Sequence, residues 1–151
     1  MIIKKLKDYL DSHHIKYVII SHSPAFTAQE IAAYAHIPGK EMAKTVMLKV
    51  DGKMTMAVLP ASYHIHFHEL KSAIRAKDLE LANEREFRDL FPECEVGAMP
   101  PFGHLYGVKM MVAQSLTEDE EIAFNAGSHR ELVKMAYADY EKLTQPAVVD
   151  F

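Results

Sequence analysis

The sequence is poor in several features, and each shortage excludes a class of protein. A single cysteine, Cys94, leaves no partner for an internal disulfide, which fits a reducing compartment. No apolar run approaches the roughly 20 residues of a membrane-spanning helix. The first residues, MIIKKLKDYL, lack the apolar segment and cleavage site of a signal peptide. We therefore expect a cytoplasmic protein that has no membrane partner.

The composition that remains is ordinary for a globular protein. The chain has 151 residues, 49% hydrophobic and 25% charged, so we expect one domain across residues 1–151. Its formal net charge of −4 argues against a protein that coats nucleic acid. Any polyanion would have to bind at one cleft, through a few basic residues such as Arg75, Lys109 and Arg130.

Hydrophobic periodicity and turn signals predict helices and strands that interleave without a strict βαβ rhythm. Asp51-Gly52 predicts a hairpin, and Thr27-x-x-Glu30 and Asn83-x-x-Glu86 are capping boxes that predict helix starts. The predicted class is α+β with a mixed sheet. The predicted helices lie near 2–12, 27–34, 67–76, 84–91 and 139–143, and the predicted strands near 15–21, 43–50, 53–59, 79–82, 105–112, 121–125 and 132–136.

Lys44 is the most informative charged residue. Strand alternation places its side chain on the same face as Val46, Leu48 and Val50, while Thr45 and Met47 point the other way. A lysine on an apolar face must find an anion, reach water or lose its proton. From the spacing alone, a strand-end lysine that reaches solvent and an anion-binding lysine both remain open.

Two glycine-containing loops are candidates for contact with a ligand. GAMPPFGH, from Gly97 to His104, contains no acid, hydroxyl or thiol between its two glycines. FNAGSH, from Phe124 to His129, follows a predicted strand, and such a turn can present backbone N–H groups to a ligand. The alternative for the second loop is a plain turn that contains a left-handed glycine.

The remaining candidates have simpler explanations. His64, His66 and His68 would share one face of a strand and could bind a metal, but no zinc signature accompanies them, so solvated or packed histidines are the default. Cys94 lacks an activating neighbour and is predicted to be a quiet thiol. Met54 and Met56 are predicted in the core or a pocket wall. His22 could line a cleft or cap a turn.

The order of four segments resembles the YbaK/ProX family. The segments are HSPAFTAQE, AKTVMLKV-DGK-MTMAVLP, GAMPPFG, and FNAGSHRELVKM with a following DYEKL, and together they span about residues 15–145. Members of this family are trans-editing aminoacyl-tRNA deacylases, related to the editing insertion domain of bacterial prolyl-tRNA synthetases. The resemblance implies the family's α+β fold, with a curled, barrel-like mixed sheet flanked by helices.

The resemblance also implies roles for individual residues. Lys44 matches the family's key pocket lysine and would face the phosphate or ribose of a tRNA 3′ end. Gly97 would contact the ester carbonyl or a water through its backbone. Pro100 stands where the family typically has a serine, so a hydroxyl contact is absent there. The implied substrate-binding residues are Phe26, Thr27, Thr45, Met47, Pro101, Phe102, Gly103, Asn125, Gly127, Ser128 and His129.

The function implied is hydrolysis of the ester in a mischarged aminoacyl-tRNA, with alanine on a proline tRNA as the family's example. The resemblance implies no cofactor and no metal, and it names the aminoacyl-tRNA 3′ end and an aminoacyl-tRNA synthetase as partners. Two alternatives stay open: a non-catalytic module that binds tRNA or a synthetase, and a metal-binding protein that uses the three histidines.

Overall fold

The α+β class is confirmed by a computed structural model, which describes residues 2–21, 38 and 40–151. The helices are α1 (Lys4–Ser12), α2 (Phe67–Ala73), α3 (Glu84–Phe87) and α4 (Tyr137–Thr144). The strands are β1 (Tyr17–Ser21), β2 (Ala43–Val50), β3 (Lys53–Pro60), β4 (Leu79–Leu81), β5 (Lys109–Ala113), β6 (Glu121–Asn125), β7 (Glu131–Ala136) and β8 (Ala147–Val149). The helix predicted from Thr27 lies outside the described residues.

The strands form two sheets. The larger has the order β4-β2-β3-β5-β8; its β4-β2-β3 part is antiparallel and its β3-β5-β8 part is parallel, so it is mixed, as predicted. The smaller, with the order β1-β7-β6, is antiparallel. A parallel bridge between Met42 and Ala123 joins the sheets where β2 begins.

Local signals set the β2–β3 hairpin and the start of α3. Asp51 and Gly52 both have positive φ, 50° and 81°, as a two-residue type I′ hairpin turn requires. The capping box at α3 is complete, because the Asn83 side chain accepts from the Glu86 N–H and the Glu86 carboxylate accepts from the Asn83 N–H, each at 3.0 Å. Both predictions are confirmed.

The larger sheet buries both of its faces. On one face, Leu48, Ala57 and Met111 pack with Leu70 of α2. On the other face, the side chains of β2 and β3 enter the main core, together with α1, α4 and the smaller sheet. The alternation predicted for β2 is confirmed, because Val46 and Val50 pack in the first cluster and Met47 packs in the second.

The structure corrects two strand predictions. The strand predicted near 105–112 begins only at Lys109, because residues 103–106 form a 3-10 turn that ends at Gly107 with φ 69°. The strand near 132–136 is not the last one, since β8 follows α4 and pairs with β5. Three residues are too few to show a period, and their place depends on β5, which is distant in sequence. Within the described residues, no helix is long and apolar enough to cross a membrane.

Candidate active site

The first part of the site is a tight turn at residues 95–98. The Ala98 N–H donates to the Glu95 carbonyl at 3.0 Å, and Gly97, the third residue of the turn, has a φ of 84°. This is a type II turn, whose third position favours glycine because an added Cβ is strained at positive φ. Gly97 is exposed, and no acceptor among the described residues engages its N–H. The turn therefore presents the Gly97 N–H to solvent, and the neighbouring Val96 N–H also has no acceptor among the described residues.

A second turn, at residues 126–129, is bonded directly to the first. The Glu95 N–H donates to the Gly127 carbonyl at 2.8 Å, and the Gly127 N–H donates to the Ala98 carbonyl at 3.0 Å. The His129 N–H donates to the Glu95 carboxylate at 3.0 Å, and His129 Nε2 lies 2.8 Å from the Val96 carbonyl oxygen. A carbonyl can only accept, so Nε2 carries a proton and donates. The two turns form one hydrogen-bonded unit.

The predicted residues of the second turn take different places. Gly127 has a φ of 99°, and a Cβ built on it would collide with Ile3 Cγ2, so this glycine allows the start of α1 to approach closely. Asn125 is buried, and its Oδ1 has no hydrogen-bond partner within the described part of the chain. The Ser128 hydroxyl accepts from the Arg130 N–H at 3.3 Å. His129 is buried directly against Gly97, where its Cε1 would lie 3.5 Å from an added Cβ.

A groove of about 280 Å³ lies between the first turn, β2 and the β4–α3 connection. Most of its lining is apolar, and the Thr45 hydroxyl on its wall donates to the Met99 carbonyl at 3.4 Å. The lining residues are Thr45, Val46, Met47, Leu81, Ala82, Glu84, Phe87, Val96, Gly97 and Met99. The structure therefore brings together three predicted site residues, Thr45, Met47 and Gly97. We call this space the Gly97 groove.

Lys44 is adjacent to the Gly97 groove in sequence but is not part of its lining. Its side chain lies on the other face of β2 from Thr45 and Met47, opposite Leu59 of β3. The side chain is half-buried, and this burial lowers the Lys44 pKa from its usual value. No carboxylate of the described residues lies within 4.0 Å of its amine, whereas Lys49 contacts Glu86 at 2.7 Å.

The far end of the first loop lies in the core. Phe102 is fully buried and makes a T-shaped contact with Tyr140, with ring centroids 5.4 Å apart. The Tyr140 hydroxyl donates to the Pro101 carbonyl at 2.8 Å. A Cβ on Gly103 would lie 2.7 Å from Met110 Cγ and 2.8 Å from the Val108 oxygen. The structure thus gives Pro101, Phe102 and Gly103 packing positions, apart from the lining of the Gly97 groove.

The other candidates lie away from this groove. His64 and His66 line a separate surface groove, and His68 lies on α2. No group of three potential metal ligands occurs among the described residues. Cys94 is half-buried with its Sγ 3.8 Å from the Tyr106 hydroxyl, and burial raises the pKa of its thiol, which makes it less nucleophilic. His22, Phe26 and Thr27 lie outside the described residues.

Sequence reasoning did not identify the wall that the β4–α3 connection contributes. One available signal was the pair Ala82 and Phe87, which flank the capping box at the two positions of a hydrophobic staple. Both residues line the Gly97 groove. The contribution of Val96 and Met99 depends on how the loop bends back to β2, and no local pattern encodes that bend.

Comparison with known proteins places this geometry in a family. The family model described as an aminoacyl-tRNA editing domain matches residues 22–143. The chain belongs to this family. The editing domain is 29% identical over 138 residues to the multifunctional Ser/Thr-tRNA deacylase ProXp-y of Escherichia coli (strain K12), a match that covers 88% of this chain and 82% of that protein. The resemblance to the YbaK/ProX family and the aminoacyl-tRNA deacylase class are thereby confirmed.

Two further comparisons agree with this membership. The editing domain is 28% identical over 75 residues to the proline–tRNA ligase of Bacillus mycoides (strain KBAB4). This match covers 50% of this chain and 13% of the ligase. It also superposes on the crystal structure of a proposed trans-editing enzyme for prolyl-tRNA synthetase, with a TM-score of 0.80 and 20% identity. That superposition covers 97% of this chain and 94% of the other, and it supports the fold.

Proposed function

We propose that the Gly97 groove holds the aminoacyl end of a mischarged tRNA and that the ester is hydrolysed there. The observation that carries the proposal is the exposed Gly97 N–H, which no described acceptor engages and which a hydrogen-bonded turn holds at the edge of an apolar groove. A fixed backbone donor of this kind can stabilise negative charge on an ester oxygen without any reactive side chain.

The chemistry needs little more than orientation and polarisation. Water attacks the ester carbonyl carbon, the carbonyl oxygen gains negative charge opposite the Gly97 N–H, and the terminal ribose oxygen leaves with a proton. The products are the free amino acid and the uncharged tRNA. An aminoacyl ester is already activated, so correct placement beside a fixed backbone donor supplies much of the rate increase.

Lys44 is the proposed anchor for the 3′-terminal nucleotide. It is half-buried and has no described carboxylate partner, so a phosphate group would supply the counter-charge that the folded chain does not provide. Lys44 and Thr45 point to opposite faces of β2, so a substrate that contacts both passes over the edge of this strand. The proposed role of Lys44 is charge pairing with the substrate.

The proposed substrate is a small apolar amino acid, such as alanine on a proline tRNA. The apolar walls formed by Met47, Phe87 and Met99 support this choice, and the single hydroxyl in the lining, on Thr45, already contacts a backbone carbonyl. The Escherichia coli relative is named for serine and threonine instead, so a panel of aminoacyl-tRNAs decides the substrate.

We also propose that the chain acts in the cytoplasm and meets a prolyl-tRNA synthetase. The support is the match between half of this chain and a segment within Bacillus proline–tRNA ligase. Copurification with a synthetase would support the contact. If the two proteins do not associate at micromolar concentrations, the proposed contact is wrong.

The test is hydrolysis of a panel of labelled aminoacyl-tRNAs by the wild type, Lys44→Ala and the control Lys49→Ala. Loss of the Lys44 charge should slow hydrolysis about 100-fold or more, as for other groups that stabilise charge in a reacting complex. Lys49 lies on the same strand but is paired with Glu80 and Glu86, so Lys49→Ala should keep its activity.

The other outcomes are equally informative. A folded Lys44→Ala variant that keeps full activity would remove Lys44 from the site. An absence of turnover on every charged tRNA, with tRNA still bound, would identify a non-catalytic binding module.

A further inference from the structure

A second groove, of different character, lies beside the 3-10 turn Arg88–Leu90 that follows α3. It measures about 330 Å³ and is lined by Lys53, Met54, Leu90, Tyr106, Gly107, Val108 and Lys109. Its floor is apolar and aromatic, its two charged residues are both lysines, and no acid lines it. We call it the Lys53–Lys109 groove.

The two lysines have no counter-charge in the described part of the chain. No described carboxylate lies within 4.0 Å of either amine. This distinguishes them from Lys4, Lys7 and Lys49, each of which is paired with an acid at 2.6–3.4 Å. In a chain of net charge −4, two unpaired lysines around an acid-free groove form a local anion-binding surface.

Neighbouring charges restrict where an anion can bind. An adjoining groove of about 460 Å³ shares Leu90 and Tyr106 but is also lined by Asp89 and Glu93, beside Lys5. The Lys5 amine lies 4.5 Å from the centroid of the Tyr106 ring and adds a third cation near the shared wall. A separate groove is lined by one lysine and five acidic residues: Lys40, Glu41, Glu118, Asp119, Glu120 and Glu121. The Lys53–Lys109 groove is therefore the favourable place for phosphate.

This groove is close to the Gly97 groove. Phe87 lines the Gly97 groove and Leu90 lines the Lys53–Lys109 groove. The two residues are three positions apart along α3 and the 3-10 turn that follows it. On the sheet, Met47 pairs with Met56 and Lys49 pairs with Met54, so the grooves are separated by about two residues, or roughly 7 Å, along β2 and β3. One extended ligand can reach both.

We propose that the Lys53–Lys109 groove binds backbone phosphates of the tRNA acceptor arm while the aminoacyl end occupies the Gly97 groove. The lysine amines would neutralise the phosphates, and the Tyr106 and Leu90 side chains offer apolar surface to the sugars between them. The identification of the RNA as tRNA rests on the proposed function.

The test measures binding of uncharged tRNA over a range of salt concentrations. The variant Lys53→Ala/Lys109→Ala is compared with Lys4→Ala/Lys7→Ala, which removes the same formal charge from the exposed face of α1. Each lost phosphate contact should reduce the slope of log K against log salt by about 0.7–0.9. The slope of the groove variant should therefore be smaller by about 1.5, and its affinity for tRNA at low salt should be at least about tenfold weaker. The charge-retaining variant Lys53→Arg/Lys109→Arg should keep the wild-type slope.

Equal affinity and slope in the groove variant and the α1 control would overturn the proposal. Hydrolysis of an aminoacylated adenosine, which carries no phosphate, separates this proposal from the proposed function. The groove variant should hydrolyse this short ester as the wild type does, because the ester has no phosphate for the two lysines to bind. If no form of the protein hydrolyses any ester while the groove variant still loses tRNA affinity, the proposed function fails and the binding surface stands.

Discussion

The loop from Gly97 to Gly103 has a glycine at each end, but one glycine lies at the surface and the other lies in the core. Gly97 is exposed, adopts a positive φ and leaves its N–H free among the described residues. Gly103 is buried, and a Cβ there would meet Met110 and the Val108 carbonyl. Gly97 allows a positive φ in an exposed turn, whereas Gly103 allows two segments of the core to approach each other.

The comparison supports the proposal that a loop without a reactive side chain forms part of the active site. The buried end is held by the Phe102 ring in the aromatic core and by the hydrogen bond from Tyr140 to the Pro101 carbonyl. The exposed end is bonded to the 126–129 turn through Glu95, Ala98, Gly127 and His129. In the proposed mechanism the Gly97 N–H therefore needs no reorganisation when substrate binds, which is the condition for electrostatic catalysis by a backbone group.

The largest expected effect comes from the buried end. Phe102→Ala should lower the free energy of unfolding by about 3–5 kcal/mol, because it removes a fully buried ring and leaves a cavity between Phe124 and Tyr140. Urea unfolding followed by circular dichroism measures this change. Phe67→Ala, at a ring that is 38% exposed, is the control and should cost much less. Equal losses in the two variants would show that Phe102 does not anchor the loop.

Gly103→Ala should also act mainly on stability. The added methyl must displace Met110 or the backbone at Val108, so we expect a loss of about 1–3 kcal/mol in the free energy of unfolding. Activity measured well below the unfolding midpoint should change little, because Gly103 does not line the Gly97 groove. If Gly103→Ala lowers kcat without lowering stability, Gly103 does not have the purely structural role that distinguishes it from Gly97.

Gly97→Ala should affect activity more than stability. There is room for the methyl, 3.5 Å from His129 Cε1, so the cost to stability is the strain of a left-handed residue, about 1–2 kcal/mol. The loss of activity should exceed what this destabilisation explains, because relief of the strain rotates the N–H away from the ester. Single-turnover hydrolysis at saturating enzyme measures the chemical step. Unchanged turnover in a folded variant would remove the Gly97 N–H from the mechanism.

The smallest expected effect is a pH dependence that tests whether the exposed end acts together with Lys44. Burial lowers the Lys44 pKa, so activity that requires its charge should fall on raising the pH through a midpoint below the usual 10.5. The unfolded state holds more protons between the two pKa values, so Lys44 makes stability rise with pH in that window. Lys44→Arg should move the fall in activity to higher pH. If activity falls at the same high pH in the wild type and in Lys44→Arg, the fall is caused by the titration of another group.

Local patterns predicted much of the fold because their causes are local. Asp51-Gly52 predicts the hairpin since both positions need positive φ, and Asn83 with Glu86 predicts the start of α3 since the two side chains satisfy each other's backbone. The alternation that puts Lys44 on the face opposite Thr45 is a property of any strand. None of these patterns could predict β8, whose three residues depend on β5 for pairing.

The sequence by itself determined the class, the hairpin, the faces of β2 and, through resemblance, the family, because each of these follows from short-range periodicity or from motif order. Only the tertiary structure decided that Gly97 meets Thr45 and Met47 while Phe102 enters the core. It also decided that Lys53 and Lys109 share a groove. These placements arise from contacts between segments far apart in sequence, whose free energy depends on how whole elements pack and not on the residues beside them.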